Sequence, residues 1–332
     1  MNQITPSAEL LPHIIHPYKF LERVSKTLFN DCGEITSDTA RSFIRKCKQY
    51  NQLYLLEHDY CYFVVHNEAF KDHNIWTTKL YDMVTKEKYL NWAYIADDKE
   101  KDALFISGSF RAFIECYSKL VKYMAHPLKD TYPEVFKDLQ MKIEGKAHNK
   151  YNVCKMCTRE EFIKEAKAYP KHPEILQICL PHTIEFTCTI NMVNELRGHR
   201  PAAFIQEDFN GINYKNDRHY SDIAVVPPTE DNESLSNEWI KAVKDAEIHY
   251  MNMIKLGAKP EEAMSVLPLS TAVKMVVTAT EQEWRHILNL RYYNTPAEMT
   301  KATGIRELMW NTSNILLKEF KGYDEDTILY EN

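Results

Sequence analysis

The sequence predicts an α+β fold, with a central sheet flanked by helices and interrupted by a mostly helical insertion. Three observations carry this prediction. Apolar residues recur at helical spacing over most of the chain. A few β-branched and aromatic runs lie between those segments. A polar, Lys-rich stretch separates the two halves. The expected division is one domain in two parts, residues 1–120 and 179–332, around an insertion at 121–178.

Each element has a local reason. Pro17 suits the first turn of a helix carrying Leu21, Val24 and Leu28 on one stripe. Thr36 and Ser37 suit the N-cap of a helix through Phe43, Ile44 and Cys47. Tyr60 to Val65 reads as a strand, and Phe105 to Gly108 leads into a helix with Ala112, Phe113, Cys116 and Leu120. In the insertion, Thr158 and Glu161 have the spacing of a capping box. Ile184 to Ile190 reads as a strand and Met192 to Arg200 as a helix or a helix start. Pro227 and Pro228 mark a surface loop. Trp239, Val243, Ala246, Tyr250 and Met253 define an amphipathic helix that stops at Gly257, and Pro260 opens the next. Thr271 to Thr280 reads as a strand and Glu281 to Leu290 as a helix. Thr295, Pro296 and Glu298 open the last helix.

Composition narrows the function. The chain has 332 residues, 44% hydrophobic and 27% charged, which is the balance of a globular protein. Only 8 are glycine, and no Gly-rich dinucleotide fingerprint or P-loop occurs, so phosphate would be held by side chains and helix ends. A net charge of -6 argues against a broad nucleic-acid surface. No apolar run is long enough to span a bilayer, and the first residues lack the pattern of a signal peptide, so a cytoplasmic location is expected. Scattered cysteines read as free thiols. Cys154 and Cys157 have the spacing of half a zinc site, with His148 and His172 nearby, but no second pair follows, and no metal is expected.

Three stretches concentrate ionisable residues beside apolar ones: Leu55 to His58, Glu195 to Arg200 with Gln206 to Asp208, and Glu283 to His286 with Arg291. Taken singly, a Glu-His pair at a strand entrance is commonly structural, and Arg-rich helix starts are commonly solvated faces. Together and in this order, they resemble the flavin-dependent (alternative) thymidylate synthases, in particular the larger phage-type members. The resemblance begins at Phe20-Leu21-Glu22-Arg23, passes through Ile35 to Ala40, and resumes at Ile106-Ser107-Gly108-Ser109-Phe110-Arg111-Ala112. It is strongest over ELRGHRPAAFIQEDFNGINY, 195 to 214, where the family carries R-H-R, seven residues and Ser. VLP at 266 to 268 and EWRHILNLR at 283 to 291 extend it.

The resemblance implies the family's fold and a homotetramer with FAD bound between subunits. It implies transfer of a methylene group from methylenetetrahydrofolate to C5 of dUMP, with NADPH reducing the flavin. Carried over position by position, His199, Arg200, Gln206, His286, Glu57 and His58 are the expected cofactor residues. Arg291, Asp208 and Arg200 are the expected catalytic residues, and Arg291, Asp208 and Asn210 the expected substrate residues. In this reading arginines and a helix N-terminus hold the anionic ligands while the flavin carries the chemistry.

The departures matter as much. The first Arg of R-H-R is Gly198, the Ser is Asp208, and two phosphate-binding Arg positions are Asn210 and Met264. Gln52 and Tyr54 replace a His and a small hydroxyl residue, and Thr280 and Gln282 replace an Asn and an Arg. Two lost arginines and one gained aspartate make the expected phosphate pocket three units more negative. At an effective dielectric near 20, each charge about 4 Å away is worth roughly 4 kcal/mol before desolvation. A dianionic phosphate in the family's pose is therefore disfavoured. Two readings stay open: an enzyme transferring a methyl or hydroxymethyl group to a pyrimidine nucleotide or related substrate, and a non-catalytic paralogue that partners an active subunit or binds a nucleotide-like ligand.

Overall fold

The computed structural model describes residues 1–14, 16–29, 33–66, 75–96, 102–120, 122–140, 154–208, 213–214, 222–228, 232–294 and 304–320. Short strands β1 (Asn2–Gln3) and β2 (Ser7–Leu10) precede helix α1 (Pro17–Phe29), opened by its proline. Helix α2 (Ser37–Gln49) starts at a reciprocal capping box between Thr36 and Thr39. A 3-10 turn (Leu53–Glu57) hands the chain to β3 (Tyr60–His66), α3 (Ile75–Lys86), β4 (Asn91–Ile95) and β5 (Ala103–Ser109). Ser109 caps α4 (Phe110–Cys116). Next come α5 (Lys122–Thr131), α6 (Pro133–Phe136), β6 (Cys154–Cys157), α7 (Arg159–Ala166) and α8 (Glu174–Cys179). The last part holds β7 (Pro181–Thr189), α9 (Ile190–Leu196), β8 (Ala203–Gln206), β9 (Ala224–Val225) and α10 (Glu233–Lys255). It closes with α11 (Pro260–Ala263), β10 (Ala272–Thr280), α12 (Glu281–Leu288) and α13 (Ile305–Glu319).

These strands form two four-stranded antiparallel sheets, in the orders β4-β5-β3-β6 and β2-β7-β10-β8, and a parallel pair β1-β9. The fold is α+β, with sheets flanked by helices. The first sheet is buried on both faces. Cys61, Phe63, Val65 and Ile106 pack with α1, α2 and α4, while Tyr62, Val64 and Phe105 pack with Phe162 and Ile175 of α7 and α8. The second sheet packs one face on α9, α12 and α13 through Phe186, Met275, Val193, Trp284 and Leu308. No helix among the described residues is long and apolar enough to cross a membrane.

The stretch 121–178 is mostly helical among its described residues and is built into the core. It supplies β6, which pairs with β3, and Met124, Ala125, Leu128 and Phe136 sit in the same core as Leu21 and Phe63. Among its described residues polar side chains take outward faces, as in α7, where Phe162 and Ala166 are buried and Glu160 and Glu161 are exposed. Cys154 and Cys157 lie at the two ends of β6, an odd number of residues apart, and so face opposite sides of the sheet. Cys154 packs in one core and Cys157 in the other, so the pair cannot chelate one ion. His172 hydrogen-bonds Glu174 instead, and His148 lies outside the described residues. The opening of the last helix at Thr295 to Glu298 also lies outside them, and the described helix runs from Ile305.

Candidate functional site

Two strand-to-helix turns build the site. At the end of β7 the Thr189 hydroxyl accepts from the Met192 N–H at 3.0 Å and starts α9. At the end of β10 the Thr280 hydroxyl accepts from the Glu283 N–H at 3.4 Å and starts α12. Because β7 and β10 are antiparallel, the helices leave from opposite ends, and both pack on one face of the sheet. Trp284 fixes α12, donating from its indole N–H to the His182 carbonyl at 3.0 Å. Beyond Leu288 the helix widens into a π turn, Asn289–Tyr293, a deviation common at functional sites.

Arg291 projects from that turn and uses all three guanidinium nitrogens. Nη1 donates to Glu195 Oε1 at 2.5 Å, Nη2 to the Glu195 carbonyl at 3.3 Å, and Nε to His199 Nε2 at 3.2 Å. Glu195 lies in the last turn of α9, and His199 follows in the turn, so the strongest sequence match and the C-terminal match meet here. His199 is 5% exposed. Burial, then Arg291 and His286, push its pKa down to about 4, so the ring is neutral at pH 7. An acceptor Nε2 on a neutral ring leaves the proton on Nδ1. His286 lies edge-on to His199, with centroids 5.8 Å apart, and reaches the surface. Glu283, one turn before His286, has its carboxyl pKa raised by burial.

The other sequence candidates separate from this cluster. Arg200 is exposed and makes no hydrogen bond or ion pair among the described residues. Gln206 accepts from Arg197 Nη1 at 3.4 Å. Glu57 accepts from Arg111 Nη1 at 2.5 Å. His58 is 1% exposed; its Nδ1 lies 2.8 Å from the Thr278 hydroxyl, which lies 2.8 Å from that of Thr183. This places His58 inside the protein, apart from the His199 cluster. Asp208 is exposed, and its N–H donates to the Leu28 carbonyl at 2.8 Å. Its charge, after burial and Cys47, raises the pKa of Tyr54. Asn210 lies outside the described residues. Met264 packs against the apolar cluster of Val243 and Tyr250.

Beside the 3-10 turn, α1 and α2 enclose a cavity of about 480 Å³ lined by residues including Ser25, Lys26, Lys46, Tyr50 and Gln52. Sequence reasoning gave no role to Glu195 or Glu283. The signal was there in the spacing: each stands three or four residues before a histidine, within one helical turn.

Residues 99–320 match the family described as thymidylate synthase complementing protein. Over 105 residues the chain is 30% identical to a flavin-dependent thymidylate synthase of Thermococcus onnurineus (strain NA1), an overlap covering 31% of this chain and 42% of that one. The chain thus spans less than half the length of this relative. Two solved structures of the UMP/dUMP methylase PolB from Streptomyces cacaoi, with 5-Br dUMP and with 5-Br UMP, are similar at 17% identity and a TM-score of 0.35. They match over 48% and 47% of this chain and 77% of each of theirs.

Proposed function

Because the chain belongs to the thymidylate synthase complementing protein family, we propose that it is a flavin-dependent thymidylate synthase-like protein with an altered phosphate site. It transfers a methyl or hydroxymethyl group to C5 of a pyrimidine nucleotide or related substrate. The observation that carries this reading is the joining of Arg291 to His199, which unites the family-like segments 195–214 and 283–291 at one end of α9.

The flavin is tested by the donors present. His286, beside His199, and Arg200 and Gln206, outside that cluster, offer polar groups of the kind that suit an anionic, planar cofactor. Glu57, held by Arg111, and His58, sealed inside, do not. Bound flavin supplies hydride chemistry. Around it, neutral His199 keeps a proton on Nδ1, Arg291 orients the base through a guanidinium, and exposed Asp208 accepts from a hydroxyl or amine of the substrate. Methylenetetrahydrofolate and NADPH complete the reaction in this reading. A homotetramer, or an assembly with an active paralogue, supplies the remaining flavin contacts.

A second reading, a family member without catalysis, is favoured by one contact. Glu195 holds the guanidinium that the resemblance gives to the pyrimidine. Colour separates the two. A purified protein that absorbs near ~450 nm, as oxidised flavin does, and melts higher with added FAD supports the enzyme reading. A colourless protein that FAD does not stabilise removes it.

A further inference from the structure

Glu283 and His286 stand three residues apart on α12 and so share a face. His199 meets them from the turn after α9, and one ligand atom from each of the three lies within 4.8 Å of the others. We propose that His199, Glu283 and His286 bind a single divalent transition-metal ion.

The gap between His199 Nδ1 and Glu283 Oε1 argues for it. At 3.8 Å it is too long for a hydrogen bond. It suits two ligands of one ion, because bonds of about 2.0–2.2 Å put neighbouring ligands roughly 3–4 Å apart. Glu283 Oε1 is shielded from solvent and has no hydrogen-bond partner among the described residues. Such an oxygen costs stability unless something pairs with it. Two imidazoles and one carboxylate are a recurring donor set for Zn²⁺ and Fe²⁺, and Glu-x-x-His is a spacing from which helices deliver it. Exposed His286 opens a route for the ion.

Arg291 couples to this site. An ion at Nδ1 takes that nitrogen's lone pair, so the imidazole proton sits on Nε2. Two donors then face each other, and Arg291 turns from His199 to Glu195 alone. The ion and the Arg291–His199 bond are therefore alternatives.

The inference does not rest on the flavin reading, and its test uses no flavin. The full chain, stripped with chelator, is titrated with Zn²⁺ against a chromophoric indicator. The expected result is one ion per chain, a rise in melting temperature, and a loss of affinity of about tenfold or more in both E283Q and H286A. H249A, on the exposed side of α10, leaves the affinity unchanged. R291Q tightens binding, which a merely structural arginine would not do. Binding that survives both E283Q and H286A, or no binding by a folded wild-type chain, overturns the proposal. A colourless protein that takes up zinc retires the flavin reading alone, and a yellow one that takes up none retires the metal alone.

Discussion

Arg291 donates from Nε to Nε2 of His199 across 3.2 Å, an arginine held against a neutral imidazole. The guanidinium pairs with Glu195, which is 8% exposed at its side chain. Its direction is set by the π turn that carries it.

Removing that guanidinium leaves a largely buried carboxylate without its cation. R291A is expected to lower folding stability by about 1.5–3 kcal/mol, the range for hydrogen bonds to charged groups. R291A combined with E195Q should recover part of the loss. Urea denaturation of the two variants checks this, and equal midpoints for wild type and R291A would contradict the contact's role.

Acidification should act through the sealed imidazoles. Burial pushes His58 and His182 down to about 3, and His199 to about 4. Below pH 6.5 the unfolded chain protonates these rings while the folded chain does not. Stability is thus fully present above pH 6.5 and lost as pH falls toward the folded values, by about 1–2 kcal/mol per ring at pH 5. Glu281 and Glu283, raised by burial, act in the opposite sense. The test is therefore a comparison: H58Q should lose less stability between pH 7 and pH 5 than wild type. An identical loss would mean that His58 titrates normally.

Restoring charge to the phosphate pocket should restore phosphate binding. D208S/N210R is expected to bind dUMP at least about tenfold more tightly than wild type, with the gain shrinking at high salt. Met264 is left alone, because it packs in an apolar cluster where an arginine would be costly. Calorimetry with dUMP and deoxyuridine decides the point. A gain that is equal for both ligands would show that the phosphate is not what the new arginine meets.

G198R restores the first arginine of the family's signature. Gly198 is not held in a left-handed backbone conformation, and an added Cβ meets only the Glu195 carbonyl oxygen, at 3.3 Å. The variant should fold with a loss of about 1 kcal/mol or less. A failure to fold would show that this turn requires glycine.

Thiol reagents should find little to attack. Cys47, Cys61, Cys116, Cys154, Cys157, Cys179 and Cys188 are buried, and burial pushes Cys47, Cys116, Cys179 and Cys188 up to about 12. At most one of the eight cysteines should react quickly with a disulfide reagent in the native protein, and the rest only on unfolding.

Much of the fold was legible because its elements carry local signals. Pro17, Thr36, the Thr158–Glu161 box and Gly257, with φ at +94°, each sit where their chemistry required. What stayed hidden depended on distant partners. β6 is a strand only because β3 offers an edge to it, and its sequence CKMC carries no alternation. The site divided in the same way. The family-like spacing located His199, His286 and Arg291, whereas Glu195 and Glu283 gain meaning only when α9 and α12 are folded together. Nothing in the sequence separated Glu57 and His58 from that cluster, because neighbours in sequence share no chemistry until burial distinguishes them.

The placement of β2 has a kinetic consequence. Ser7 to Leu10 pair with Ile184 to Thr187, and β7 pairs in turn with residues 272–280. At ribosomal speeds of roughly 5–20 residues per second, the first strand waits about 10–35 s for its neighbour to be made. The sheet that supports His199 and Arg291 closes only after that. Such non-local pairing slows folding and leaves an edge strand open during synthesis. The nascent chain should therefore be vulnerable longest in the sheet that backs the His199–Arg291 pair.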